Sequence, residues 1–173
     1  MKKTFLYLAL IVISISTNAQ KSISPDGVFN YQINVKHELA KDLLAAVKKS
    51  NPNIIQLEIV TVKGENIPFA ISKYEGGEVT TIEVALKDYV YNVKANSITK
   101  TIEAKSFTKE GRVFHRKITI SSMGDKNVYN VMYYFMKNNK SKFLYEIKLS
   151  ANNVDQKLID HTLYNIAKTV YFK

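Results

Sequence analysis

Cysteine and tryptophan are both absent from the chain. Without cysteine there is no disulfide, no thiol nucleophile, no thiolate metal site and no lipid anchor on an N-terminal cysteine. Arginine is nearly absent as well, Arg112 and Arg116 being the only two. Bidentate recognition of phosphate or guanine favours Arg over Lys, so this scarcity argues against a nucleic-acid partner. No glycine-rich phosphate loop, dinucleotide fingerprint or G-x-S-x-G elbow occurs. Long apolar runs are missing too: Phe5 to Ile15 falls short of the roughly 18 residues that a membrane helix needs.

That short run is informative in its context. Lys2 and Lys3 precede it as a basic n-region, and Thr17-Asn18-Ala19 follows with small residues suited to cleavage. This is the three-part form of a secretory signal peptide. Residues 1–19 are therefore expected to be removed, leaving 20–173 as one domain of a periplasmic or secreted bacterial protein.

The whole chain has 25 Lys+Arg against 15 Asp+Glu, a formal charge of +10. Without Lys2 and Lys3 the count is 23 against 15, or about +8. Such a charge suits docking on an anionic envelope lipid or polysaccharide. It equally suits a lysine-rich protein kept in solution by its surface, and the lysines are spread rather than clustered.

Hydrophobic periodicity organises the rest. Val28 to Val35 alternates, with Phe29, Tyr31, Ile33 and Val35 on one side, and predicts a strand. Between His37 and Ser50 the period changes: Leu39, Leu43, Ala46 and Val47 share an arc, which predicts a helix ended by Asn51-Pro52-Asn53. Ile54 to Val62 and Ile67 to Tyr74 are predicted strands joined through Lys63-Gly64-Glu65-Asn66. Val79 to Val84 reads as a short strand running into a helix over Leu86, Tyr89, Val90 and Val93. Thr101 to Lys109 and Arg112 to Ser121 flank Glu110-Gly111 as a hairpin, and Val128 to Lys137 and Lys142 to Ser150 form a second. A helix over Val154 to Val170, capped by Asn152 or Asn153, buries Ile159, Leu163, Ile166, Ala167 and Val170. The fold class is α+β, a mainly antiparallel sheet with helices packed on it.

A short even-numbered loop in the second hairpin sets Lys137 across from Lys142 and Tyr134 across from Tyr145. Met132, Tyr134, Met136, Phe143, Tyr145 and Ile147 then form the core beneath the last helix. The opposite face carries Val131, Tyr133, Phe135, Leu144, Glu146 and Lys148, a mixture suited to a ligand. This is the candidate ligand-binding face.

From Ile82 to Phe172 the layout resembles the Mog1/PsbP-like fold, an α/β/α sandwich around an antiparallel sheet. The carrying features are a helix near Leu86–Val93, four strands in two hairpins, and Tyr145-Glu146-Ile147 leading through a polar turn into a closing helix. The final Ile166-Ala167-Lys168-Thr169-Val170-Tyr171-Phe172 is similar to the family's helix and short hydrophobic end strand. The resemblance implies binding and accessory roles, among them photosystem assembly and a small-GTPase partner, rather than one chemistry. It transfers no functional residue.

Catalytic and metal motifs fail on inspection. His37-Glu38 begins like a zinc-protease helix, but Lys41 stands where the second histidine is required. His115 is expected on the Val113, Lys117 and Thr119 side of its strand and His161 on the outer side of the last helix, both towards solvent. No two histidines have ligand spacing, so no catalytic, cofactor or metal residue is expected. Glu146 beside Tyr133 is the carboxylate most suited to a ligand. Its plain alternative is a solvated strand residue paired with a lysine. Arg116 shares the parity of Phe114 and Ile118, so it either snorkels to the sheet edge or forms a buried ion pair. The sequence thus predicts an exported, non-catalytic accessory or ligand-binding protein of the cell envelope, whose partner is an envelope protein or small ligand. The alternatives are a cationic protein docking on an anionic surface and, third, a hydrolase of unfamiliar type.

Overall fold

The computed structural model describes residues 20–75, 81–87, 92–93, 97–123, 126–138, 140–152 and 155–173. In chain order the elements are β1 (Gln20–Ile23), β2 (Phe29–Ile33), β3 (His37–Leu39), α1 (Lys41–Lys48), β4 (Ile54–Val62) and β5 (Glu65–Glu75). There follow α2 (Ile82–Leu86), β6 (Asn92–Val93), β7 (Ser97–Lys109), β8 (Arg112–Met123), β9 (Lys126–Phe135), β10 (Phe143–Asn152), α3 (Gln156–Ala167) and β11 (Tyr171–Phe172). A three-stranded sheet runs β1-β2-β11, and an eight-stranded sheet runs β3-β4-β5-β10-β9-β8-β7-β6. Every pairing is antiparallel.

Two tight hairpins hold the large sheet in register. Lys63 and Gly64 take φ of 49° and 86°, and Glu110 and Gly111 take 53° and 72°. Positive φ at both central residues gives the turn a twist that matches the flanking strands.

One face of the large sheet carries the main core. Phe69 and Ile71 of β5, Tyr145 and Ile147 of β10, Tyr133 of β9 and Phe114 of β8 meet Ile159, Leu163, Ile166 and Ala167 of α3 there. Phe29, Tyr31 and Ile33 close the same core from the small sheet. All five residues of the expected α3 stripe are buried. The other face is covered by the two shorter helices. Ala40 and the α1 residues Leu44 and Val47 pack on Ile54, Leu57 and Ala70. Ala85 of α2, with Ile82 and Leu86, packs on Met132, Tyr134 and Leu144. Helices on both sides of an antiparallel sheet make the α+β sandwich that the sequence predicts.

Several local expectations are corrected. His37–Leu39 is a strand rather than a helix start, because it completes the edge of β4 in the register His37↔Val60 to Leu39↔Glu58. The helix stripe is accordingly Ala40, Leu44 and Val47, leaving Leu39 and Leu43 exposed. Ile82–Val84 is helical, not extended, since the Val84 amide donates to the Thr81 hydroxyl and caps α2. Val93 lies in a strand, while Val79, Tyr89 and Val90 lie outside the described residues. The cap of α3 is Asp155, whose carboxylate accepts from the Lys157 amide at 2.9 Å, whereas Asn152 ends β10 and Asn153 lies outside the described residues.

The largest correction concerns the β9–β10 register. Phe135 pairs with Tyr145, Tyr134 with Glu146, Tyr133 with Ile147, and Val131 with Leu149. An odd number of residues, 136–142, separates the two strands, so odd positions face odd ones. Because side chains alternate, this one-residue slip turns the whole of β9 over. Val131, Tyr133 and Phe135 lie in the main core beside Tyr145 and Ile147. Leu144, Glu146 and Lys148 point to the opposite face together with Met132 and Tyr134. The six residues of the candidate ligand face therefore do not share a face.

Candidate ligand site beneath helix α2

Cross-strand pairing lays out the α2-covered face row by row. Ser72, Glu146, Tyr134 and His115 form one row across β5, β10, β9 and β8. Ala70, Lys148, Met132 and Lys117 form the next. Beyond it stand Ser150, Asn130, Thr119 and Thr101, the last on β7. A bulge at Thr101/Glu103 lets β7 serve both faces. Thr99 and Thr101 face the α2 side, and past the bulge Glu103 and Phe107 face the α3 side, where they meet Arg116 and Phe114.

These rows line a cavity of about 360 Å³ bounded by Tyr74, Val84, Ala85, Thr99, Thr101, Lys117, Thr119, Ser121, Asn130, Met132, Tyr134, Glu146 and Lys148. Its volume lies at the lower end of the roughly 300–1,000 Å³ usual for small-molecule sites. Its polar wall is organised around Asn130. The Asn130 amide donates to Thr119 Oγ1 at 3.3 Å and Ser121 Oγ at 3.4 Å, and its carbonyl accepts from Ser150 Oγ at 2.8 Å. The hydroxyls of Thr99 and Ser121 are 3.0 Å apart. Thr101 Oγ1 is buried and, among the described residues, has no hydrogen-bond partner.

At the other end stands Glu146, only 7% exposed. Burial pushes the phenols of Tyr74 and Tyr134 upwards, and the Glu146 charge and hydrogen bonding push both further. Both tyrosines therefore stay protonated at ordinary pH, with their hydrogen bonding directed to Glu146. Lys117 Nζ donates to the carbonyls of Ala85 and Lys87, fastening the C-terminal end of α2 to the sheet. The arrangement supplies donors, acceptors and apolar wall together.

The remaining sequence candidates are scattered. His37 sits in β3, with Nδ1 3.0 Å from the Val35 carbonyl and Nε2 3.7 Å from buried Glu58. Glu58 also accepts from Tyr31 at 2.7 Å and from Gln56. His115 is half-buried with Nδ1 2.7 Å from Ser106 Oγ, and burial pushes its pKa down. His161 is exposed on α3. Arg116 settles into the ion-pair alternative, bridging Glu103 on β7 and Asp160 on α3. Among the described residues no group of three or more His, Asp and Glu could hold a metal ion, and no helix is long and apolar enough to cross a membrane.

Of the sequence candidates, Glu146 and Lys148 line the cavity, and Leu144 packs with α2 beside it. Nothing in the sequence marks Tyr74, Thr101, Lys117, Thr119, Asn130 and Tyr134 as site residues. The available signal was the polar run Lys117, Thr119, Ser121 at alternate positions, which in a sequence looks like a solvent face.

The strands and helices make the PsbP-like fold. The solution structure of cyanobacterial PsbP (CyanoP) from Synechocystis sp. PCC 6803 superposes with a TM-score of 0.62, over 89% of this chain and 92% of that one. The sequences are 11% identical, a likeness of fold alone. No family model matches the sequence, and neither does any curated protein.

Proposed function

We propose that this chain is a non-catalytic accessory module of the bacterial cell envelope that holds a small ligand in the cavity beneath α2. The observation that carries this reading is the juxtaposition of buried Glu146 with the hydroxyl-lined wall around Asn130 in one cavity of ligand size. Tyr74 and Tyr134 are poor general bases, because burial and the Glu146 charge keep their protons on. The likeness to PsbP supports an accessory role, and the signal-peptide pattern of residues 1–19 supports export to the periplasm or beyond.

Native mass spectrometry of tagged protein recovered from its own envelope fraction tests both parts. The expected species begins near Gln20 and carries a small-molecule adduct that Glu146→Gln diminishes. A cytoplasmic protein with its leader intact contradicts export, and adduct loss indifferent to Glu146 contradicts the site.

A second reading follows from the exposed Lys137, Lys140 and Lys142 between β9 and β10. Together with the positive net charge they suit an anionic lipid or polysaccharide surface. Surface docking of that kind weakens steeply between low and physiological salt, while cavity binding barely responds.

A further inference from the structure

We infer that the cavity beneath α2 takes a neutral, polyhydroxylated ligand, a mono- or disaccharide, an inference that rests on the cavity's being a ligand site. Charge decides first. Glu146 faces the cavity from β10, with Lys148 beside it and Lys117 across the sheet. An anionic ligand meets a carboxylate that is 7% exposed, and a cationic ligand meets two lysines. Either charge brings the ligand up against a like-charged group of the cavity, which is costly. An uncharged ligand meets neither penalty.

Hydrogen-bond inventory decides next. Asn130 spends its N–H donors on Thr119 Oγ1, Ser121 Oγ and the Val128 carbonyl. Thr119 Oγ1 already accepts, so its own proton remains for a ligand oxygen. The Glu146 carboxylate accepts, and hydrogen bonds from Tyr74 and Tyr134 take up part of that capacity. The wall therefore donates and accepts at closely spaced points, which matches vicinal hydroxyls that do both. Thr101 Oγ1 is the second observation: among the described residues it has no partner, which is rare for a buried hydroxyl, and rotation about χ1 would turn it to a ligand hydroxyl in the cavity that Thr101 lines. The apolar wall of Val84, Ala85 and Met132 suits the C–H face of a pyranose ring. At about 360 Å³ the cavity admits one or two rings rather than a long chain.

The test is a two-dimensional amide NMR titration of the protein with three probe sets at millimolar concentration. One is glucose, galactose, N-acetylglucosamine, maltose and cellobiose; the others are putrescine as cation and succinate as anion. A saccharide should shift the amides of Thr101, Thr119 and Glu146, with affinity falling about tenfold in Glu146→Gln and in Thr101→Val, a loss of about 1.4 kcal/mol for each. Thr101→Val keeps the test open should Glu146→Gln fail to fold. If putrescine or succinate shifts those amides while every saccharide is silent, the cavity remains a ligand site and the neutral-polyol inference is overturned. Silence from all three sets overturns both.

Discussion

Arg116 on β8 holds Asp160 on α3 through both carboxylate oxygens, at 2.8 and 2.6 Å from Nη1. Its Nε also donates to Glu103 at 2.8 Å, so one side chain ties β7, β8 and α3 together. The Arg116 side chain is 15% exposed, against 28% and 29% for its two partners, so the cluster is sheltered but not dry. Arg116→Ala removes the cation that Asp160 and Glu103 share, leaving Glu103 with Lys105, and should cost about 2–3 kcal/mol, discounting a fully buried pair for solvent. Asp160→Asn leaves Arg116 paired with Glu103 and should cost about 1 kcal/mol. Thermal melts should separate the two, at about 2–4 °C per kcal/mol for a chain of this size.

The acid limb of stability should trace to Asp26 and Glu103. Burial raises the Asp26 pKa, but bonds from Tyr145 at 2.6 Å, Ser24 at 2.9 Å and Lys73 at 3.2 Å outweigh it. Burial likewise raises that of Glu103, and Lys105 with Arg116 outweighs it. Both carboxyls therefore sit below their ordinary values of 3.8 and 4.5. A depressed acid pKa stabilises the folded state above the ordinary value and loses that contribution as pH falls through the depressed one. Urea melts should show stability dropping as pH goes below 4.5 and further below 3.8, and Asp26→Asn should flatten the lower part of the drop.

The hairpin between β4 and β5 should respond to two neighbouring substitutions in opposite directions. Lys63 holds φ of 49°, where a lysine is strained, and Asn tolerates that region better. Lys63→Asn should raise stability by about 0.5 kcal/mol. Gly64 holds φ of 86°, so Gly64→Ala should lower it by about 1–2 kcal/mol. Chemical denaturation at unchanged m-value checks both.

Lys117 should act locally on α2. Lys117→Met removes the donor to the Ala85 and Lys87 carbonyls while keeping the length of the stem. The amides of Ala85 and Lys87, bonded within the helix to Thr81 and to Glu83 and Val84, should then exchange faster with solvent. Amides of α3 should be unchanged.

Much of the fold was visible in residue patterns, and the reasons differ by element. The α3 stripe and the Phe29, Tyr31, Ile33 alternation stand out because burial on one side imposes one period on the sequence. Glu110-Gly111 marks its hairpin because the turn demands positive φ. The β9–β10 register was hidden, since β9 is apolar on both sides: Met132 and Tyr134 are buried under α2, and Val131 and Tyr133 are buried in the main core. Only the loop length distinguishes the two registers, and no residue in 136–142 fixes that length. The bulge after Thr101 likewise changes which side β7 presents without leaving a mark such as glycine. The cavity was illegible for a related reason. Its hydroxyls come from separate strands, and a covered polar face has the same alternation as a wet one.

The direct measurement is a methyl-selective NOESY spectrum centred on the Met132 methyl group. This account predicts a cross-peak from Met132 to the methyl of Ala85, which lines the same cavity and belongs to the same α2 cluster. Cross-peaks from Met132 to Leu163 and Ile159 of α3 would contradict it, because β9 would then be turned over and the wall built by Asn130 and Tyr134 would lie on the wrong side of the sheet.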